Sequence, residues 1–292
     1  MHWVDYERPT SVQDAAALLG KHGDSARCLA GGTDLLVQMR AGRVPATTII
    51  DVKEIPELNQ LSYSDAGGLT IGAAVPCYRI YRDLTAMKRY PGVNDVVSLI
   101  GGTQIQGRAT LGGNLCNAAP SGDAIPMMIA HGVTAKIADA DGVSERPVEE
   151  ICIAPGKTVL EPGELLVSLH FPTPPSHFGA RYLRFIPRNE MDIAVAGAGV
   201  AVTLDGDTFA TARIALASVA PTPLFVKEAG DALAGLPVND ESIQKASELA
   251  KAAAKPIDDM RGTARYRSHL CEVLTRRALN DAVRRARGEE VE

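Results

Sequence analysis

Two segments, each pairing adjacent glycines with a hydroxyl side chain, constrain this chain more than anything else in it. The first is Leu29-Ala30-Gly31-Gly32-Thr33-Asp34-Leu35-Leu36. The second is Thr110-Leu111-Gly112-Gly113-Asn114, which runs on through Cys116 and Pro120 to Asp123. Glycine permits positive φ and close backbone approach, so successive N–H groups can converge on an anion. Around the first segment, Arg27 to Ala30 reads as a strand, Asp34 to Arg40 as a helix stopping at Gly42, and Thr47 to Val52 as the next strand. That order sets the loop at a helix N-terminus, where unpaired N–H groups and the helix dipole favour negative charge. Alone, the first segment is equally a turn and a cap, with Thr33 as candidate N-cap, and the second could be a strand-to-turn connection, with Asp123 as candidate N-cap of the helix after it, although its polar continuation disfavours that reading. Together they imply two loops gripping one diphosphate cofactor. After the second glycine pair, residues 117–123 read as a long, small and polar loop of the kind that lines a site. Its Asp123 carboxylate can accept hydroxyl hydrogen bonds from a sugar or ribityl chain.

The rest of the chain alternates short helices and strands. A first helix is predicted over Ser11 to His22, capped by Ser11 and ended by Gly23. Further helices are predicted over Tyr78 to Tyr90, Asn94 to Ile100 and Ala124 to Ala130. Strands are predicted over Leu69 to Val75, Thr134 to Ala138 and Glu164 to Phe171, with an Asp141-Gly142 turn. Pro172, Pro174 and Pro175 mark a boundary. Beyond it, Arg181 to Ile186, Ile193 to Leu204 and Thr208 to Val219 predict an antiparallel sheet, and Glu241 to Ala254 and His269 to Arg287 predict helices. The resulting division is 1–57, 58–175 and 176–292.

Several function classes drop out. The chain has 292 residues, 46% of them hydrophobic, and a net charge of −5 without a broad basic stripe, which argues against nucleic acid. No stretch is apolar enough to span a membrane, and Met1-His2-Trp3-Val4 does not begin a secretion signal, so the expected location is the cytoplasm, with membrane attachment only through partners. The five dispersed cysteines and six histidines show no metal-ligand spacing, so no metal site is expected. Gly197-Ala198-Gly199-Val200-Ala201-Val202 fails a dinucleotide fingerprint at Val202 and reads as small residues packed within a strand. No nucleophile–base constellation is evident, so no catalytic side chain is assigned. Arg276, Arg277, Arg284, Arg285 and Arg287 read as a solvated helix end or as a docking surface for an acidic partner.

These residues resemble the FAD-binding medium subunits of the molybdenum hydroxylases, of the carbon monoxide dehydrogenase and xanthine dehydrogenase type. Nearly the whole chain carries the resemblance. It includes both glycine segments, Ile50-Asp51-Val52, Ile71-Gly72-Ala73, Gly163-Glu164-Leu165-Leu166, the stretch from Tyr182 to Ala194, Ala220-Pro221-Thr222-Pro223, and Asp258-Asp259-Met260-Arg261-Gly262 with Tyr266-Arg267. The resemblance implies an α+β fold: a two-lobed FAD-binding domain of the p-cresol methylhydroxylase type, then a C-terminal domain with a small antiparallel sheet and helices. It implies FAD contacts at Leu29, Ala30, Gly31, Gly32, Thr33, Asp34, Leu35 and Leu36, and at Thr110, Leu111, Gly112, Gly113 and Asn114. Asp123 and Leu166 match further FAD contacts, and Arg184 stands where many members have a lysine near the flavin. Arg keeps the charge but not the point-like ammonium. Gln106-Gly107 is a second departure, where relatives often carry Arg-Asn.

The resemblance further implies an electron-transfer flavin subunit. Substrate oxidation belongs to a large molybdenum-cofactor subunit, and electrons cross 2Fe–2S clusters on a small subunit to FAD here. They then pass to NAD, oxygen or a membrane carrier, in an assembly expected to be a dimer of heterotrimers. The alternatives are a stand-alone flavin oxidase or reductase of the same fold, and a non-enzymatic binding protein.

Overall fold

The computed structural model describes residues 3–291. Met1, His2 and Glu292, which fall within the outermost predicted segments, lie outside the described residues.

The first lobe is a three-stranded parallel sheet of β1 (Asp5–Glu7), β2 (Ala26–Leu29) and β3 (Thr48–Asp51), with β3 in the middle. Helix α1 (Val12–His22) connects β1 to β2, and α2 (Leu35–Arg40) connects β2 to β3. Ser11 caps α1 by accepting the Asp14 N–H at 3.1 Å, and Gly23 ends it at φ 51°. Val12, Ala15, Ala16 and Leu19 form its buried face.

The second lobe is built on an antiparallel sheet whose strands run β4 (Leu61–Ser64), β5 (Gly68–Gly72), β10 (Leu165–Phe171), β6 (Thr134–Ala138) and β7 (Val143–Pro147) in spatial order. A small hairpin of β8 (Cys152–Ala154) and β9 (Lys157–Thr158) precedes β10. The central β10 is buried on both faces, which explains its unbroken apolar run. Short helices fill the crossover: α3 (Cys77–Tyr81), α4 (Leu84–Arg89), α5 (Val93–Val97), α6 (Thr103–Gln106), α7 (Leu111–Asn117) and α8 (Ala124–Ala130).

Two expectations need correction here. The single helix predicted over Tyr78 to Tyr90 is two, because Asp83 turns extended and caps α4 by accepting the Ala86 N–H at 2.9 Å. The second glycine segment is not an open loop. Thr110 accepts the Gly113 N–H at 2.8 Å, and both glycines sit in the first turn of α7. Two glycines this early cost helix propensity, and the cap offsets part of that cost.

The C-terminal part is an antiparallel sheet of β11 (Phe178–Phe185), β12 (Ala196–Asp205), β13 (Thr208–Ala217) and β14 (Leu224–Phe225). It packs with α9 (Lys227–Asp231), α10 (Asp240–Ala253) and α11 (Ala264–Ala286). Helix α8 crosses β12 so closely that a Cβ on Gly199 would lie 2.7 Å from the Pro126 carbonyl carbon, so the small residues of β12 serve packing. Helix α11 begins five residues before the predicted start at His269, because Thr263 caps it through the Tyr266 N–H. Its arginines do not act as one group. Arg276 and Arg277 are exposed, but Arg285 reaches back to the second lobe and holds both Asp95 oxygens at 2.8 and 3.0 Å, as well as the Ala180 carbonyl. Largely shielded from solvent, Arg285 clamps the C-terminal helix to α5.

Candidate functional site

The β2–α2 turn of the first lobe and the start of α7 in the second face each other across a cleft of about 400 Å³. The cleft is lined by Ala30, Gly31, Gly32, Thr33, Asp34 and Leu35 on one side and by Thr110, Gly112, Gly113 and Asn114 on the other, with Leu166 of β10 in its wall. Not every predicted contact reaches it. Leu29 and Leu111 are core residues, and Leu36 is exposed on the surface of α2.

The four glycines do different work. Gly32 adopts φ +79°, which lets the turn reverse. Gly31 lies against the second lobe: a Cβ there would collide with the Arg108 carbonyl oxygen and stand 2.9 Å from its carbon. A Cβ on Gly112 would lie 2.6 Å from the Ala73 carbonyl oxygen. These two positions are small because protein backbones meet there. Gly113 differs: it is exposed in the cleft, and a Cβ would approach only the Thr110 hydroxyl, at 2.9 Å.

The two helix starts also differ. Thr33 does not cap α2. The cap position is Asp34, which adopts helical dihedrals and makes no capping bond. Leu36 N–H donates to the Gly32 carbonyl, but the N–H groups of Gly32, Thr33 and Asp34 meet no protein acceptor among the described residues. Unpaired donors on a glycine turn, facing a cleft, provide what a diphosphate requires. The α7 side is self-satisfied through Thr110, and its contribution is the open Gly113 surface. The residues present therefore fit a dinucleotide's diphosphate.

Asp123 and Arg184 stand apart from this cleft as a buried pair. Arg184 Nη1 donates to Asp123 Oδ2 at 2.6 Å, and Tyr182 OH donates to Oδ1 at 2.7 Å. The Arg184 side chain is 6% exposed. Burial pushes the Asp123 carboxyl above its usual value, against the pull of Arg184 and Tyr182. Burial, reinforced by Asp123, raises Tyr182 well above the ordinary tyrosine value. Asp123 does not use its side chain to cap α8. The Ala124 N–H goes instead to Asn114 Oδ1 at 3.3 Å, tying α8 to α7. The first hydroxyl Asp123 accepts is thus a protein one. Arg184 Nε has no partner among the described residues, and its side chain lines a second cavity of about 490 Å³ with Tyr81, Asn94, Ser98, Thr103 and Gln106.

Asn117, from the polar stretch read as lining a site, does line the cleft, and it is joined there by residues that the sequence reading did not assign to the site: Cys28, Gln38, Cys116 and Glu164. Periodicity offers a signal for some of them. Gln38 lies one helical turn beyond Asp34, and Cys116 one turn beyond Gly113, so reading α7 as a helix would have found Cys116. Cys28 and Cys116 keep exposed surface, yet desolvation of the sulfur pushes each thiol up to about 12, so the cleft carries neutral thiols. Among the described residues no group of His, Cys, Asp or Glu is placed to hold a metal, and no helix is long and apolar enough to cross a membrane.

Comparison with known proteins gives this geometry a context. The family described as the FAD binding domain in molybdopterin dehydrogenase matches residues 2–174, and the CO dehydrogenase flavoprotein C-terminal domain matches 181–282. The xanthine dehydrogenase FAD-binding subunit of Escherichia coli O157:H7 is 31% identical, with 98% of each chain covered. The carbon monoxide dehydrogenase medium chain of Afipia carboxidovorans is 33% identical, covering 97% of this chain and 98% of its own. A chain in the structure of carbon monoxide dehydrogenase from Hydrogenophaga pseudoflava superposes with a TM-score of 0.93 at 31% identity, over 96% of this chain and 97% of that one. With both halves matched in order and relatives at 31% and 33% identity over nearly the whole chain, the chain belongs to the FAD-binding medium subunits of the molybdenum hydroxylases, the flavoprotein components of oxidoreductase complexes.

Proposed function

We propose that this chain is the electron-transfer flavin subunit of a heteromeric molybdenum hydroxylase. The convergence of two glycine turns from different lobes on one cleft, with unpaired N–H donors on one of them, carries this reading. Bound FAD supplies the ability to take up electrons one at a time and release them in pairs. The chain's own residues hold and orient it. The Gly32, Thr33 and Asp34 N–H groups meet the diphosphate, Gly113 leaves room beside it, and Leu166 offers an apolar wall. Asp123 and Arg184, held by Tyr182, would contribute a buried charge pair outside the diphosphate cleft, on the side of the second cavity. The three segments 1–57, 58–175 and 176–292 act as two cofactor-gripping lobes and a C-terminal domain.

In this reading a large molybdenum-cofactor subunit oxidises the substrate in the cytoplasm, and a small 2Fe–2S subunit delivers electrons. NAD, oxygen or a membrane carrier removes them, and the assembly is a dimer of heterotrimers.

The test is purification of the chain with its natural partners, followed by metal, iron and flavin analysis and anaerobic reduction. The expected result is molybdenum and iron with two further chains, and FAD bleached by substrate in the complex only. An isolated chain whose flavin is reduced directly by an organic substrate would instead establish the stand-alone oxidase or reductase.

A further inference from the structure

The two short helices that begin at the glycine turns are joined again further along. Gln38 on α2 donates from Nε2 to Asn117 Oδ1 on α7 at 2.9 Å. These residues come from different lobes, both are partly buried, and both line the cleft. The first-lobe turn is therefore fastened to the second lobe at two points. Arg108 Nε donates to the Gly31 carbonyl at 3.3 Å at the start of the turn, and Gln38 binds Asn117 one turn into the helix. Between these points lie the unpaired N–H groups of Gly32, Thr33 and Asp34.

Two features make the distal bond matter. Helix α2 has only six residues and no side-chain cap, so its own hydrogen bonding fixes its direction weakly. Its aim nevertheless decides whether those N–H groups point at the Gly113 surface across the cleft. A bond from its last full turn to the last turn of α7 fixes the angle between the two helices.

We infer that Gln38 and Asn117 form an amide clasp that preorganises the diphosphate cradle, acting as positioning residues for FAD. This rests on the FAD reading of the cleft. The clasp touches the cofactor through the geometry it imposes, so it governs affinity for any diphosphate, whatever is attached. One neutral hydrogen bond of this kind corresponds to about a three- to tenfold change in an equilibrium constant.

The experiment strips FAD from the full-length chain and titrates it back by flavin fluorescence, with inorganic pyrophosphate as competitor. It compares wild type, Gln38→Ala, Asn117→Ala, the double alanine variant, and the exchange Gln38→Asn with Asn117→Gln, which conserves total reach. Each alanine variant should weaken FAD and pyrophosphate by the same factor, about three- to tenfold. The double variant should add little to either single one, and the exchange should restore affinity. The flavin absorption spectrum and potential should not move. Unchanged FAD affinity in both single variants would overturn the clasp, as would loss for FAD with pyrophosphate unaffected, since the amides would then be reading the adenine. Failure of the wild-type chain to take up FAD would instead refute the underlying assignment of the cleft.

Discussion

Replacing Gly31 and Gly113 in turn separates two roles that the same residue type plays at this site. A Cβ at Gly31 meets main chain: it would stand 2.9 Å from the Arg108 carbonyl carbon and 3.2 Å from Ala109 Cα, where ordinary contact begins at 3.4 Å. Those atoms belong to the segment that also supplies the Ala109 carbonyl for the Cys77 N–H, so they cannot rotate away. Gly31→Ala must therefore move the Arg108 carbonyl oxygen away by about 1 Å, driving the lobes apart at a cost of at least the roughly 1–3 kcal/mol of overpacked sites. At Gly113 the nearest atom is a hydroxyl that can turn. Displacing it forfeits the Thr110 cap, about 1 kcal/mol, and a larger side chain then extends into the open cleft. Thermal denaturation of the FAD-free chain and flavin titration give opposite orders. Gly31→Ala should lower apo stability more, whereas Gly113→Leu should leave it within about 1 kcal/mol and abolish FAD uptake. Normal flavin content in Gly113→Leu would refute the cradle, and an apo form of Gly31→Ala as stable as wild type would refute the close approach of the lobes.

Further outcomes follow from the buried charges. Asp123→Asn keeps the shape but removes the anion beside the 6%-exposed Arg184 side chain, and denaturant unfolding should register a loss of about 3–5 kcal/mol, partly recovered by adding Arg184→Met. Asp95→Ala frees Arg285 and should cost about 3–5 kcal/mol by the same measurement. His131, packed among Tyr90, Phe171 and Phe178 with Nε2–H donating to the Pro91 carbonyl, is held neutral by burial, its pKa lowered to about 4. Its unfolded form takes up a proton below about 6.5, so its contribution is complete above that pH and is lost as pH falls towards 4, roughly 3 kcal/mol in all. Unfolding measured between pH 4 and 8 should show that slope, and His131→Phe should flatten it.

How much was legible in the sequence differs from element to element. Helix α1 could be read outright, because Ser11, the apolar stripe and Gly23 act over a few residues. Strands β10, β12 and β13 were equally plain from their apolar runs. The break between α3 and α4 was missed, because Asp83 is unremarkable in composition and only its backbone turn makes it a cap. Helix α7 was missed because two glycines and a following polar stretch look like a loop. Its stability comes from the Thr110 cap and from packing of Leu111 and Leu115 into the core.

The same division runs through the site. The sequence by itself determined which segments would carry it, since paired glycines beside hydroxyl residues mark places where backbone must come close to something. What that something is, at each glycine, only the tertiary structure decided. Gly31 and Gly112 are small because another part of the protein backbone occupies the space, and Gly113 because the cleft does. Sequence spacing records the need for a missing side chain, but not the identity of the neighbour, which comes from residues as distant as Ala73 and Arg108. Likewise Asp123, Tyr182 and Arg184 meet only because β11 lays its residues against the turn that begins α8. The Gln38–Asn117 clasp exists only because two lobes fold face to face.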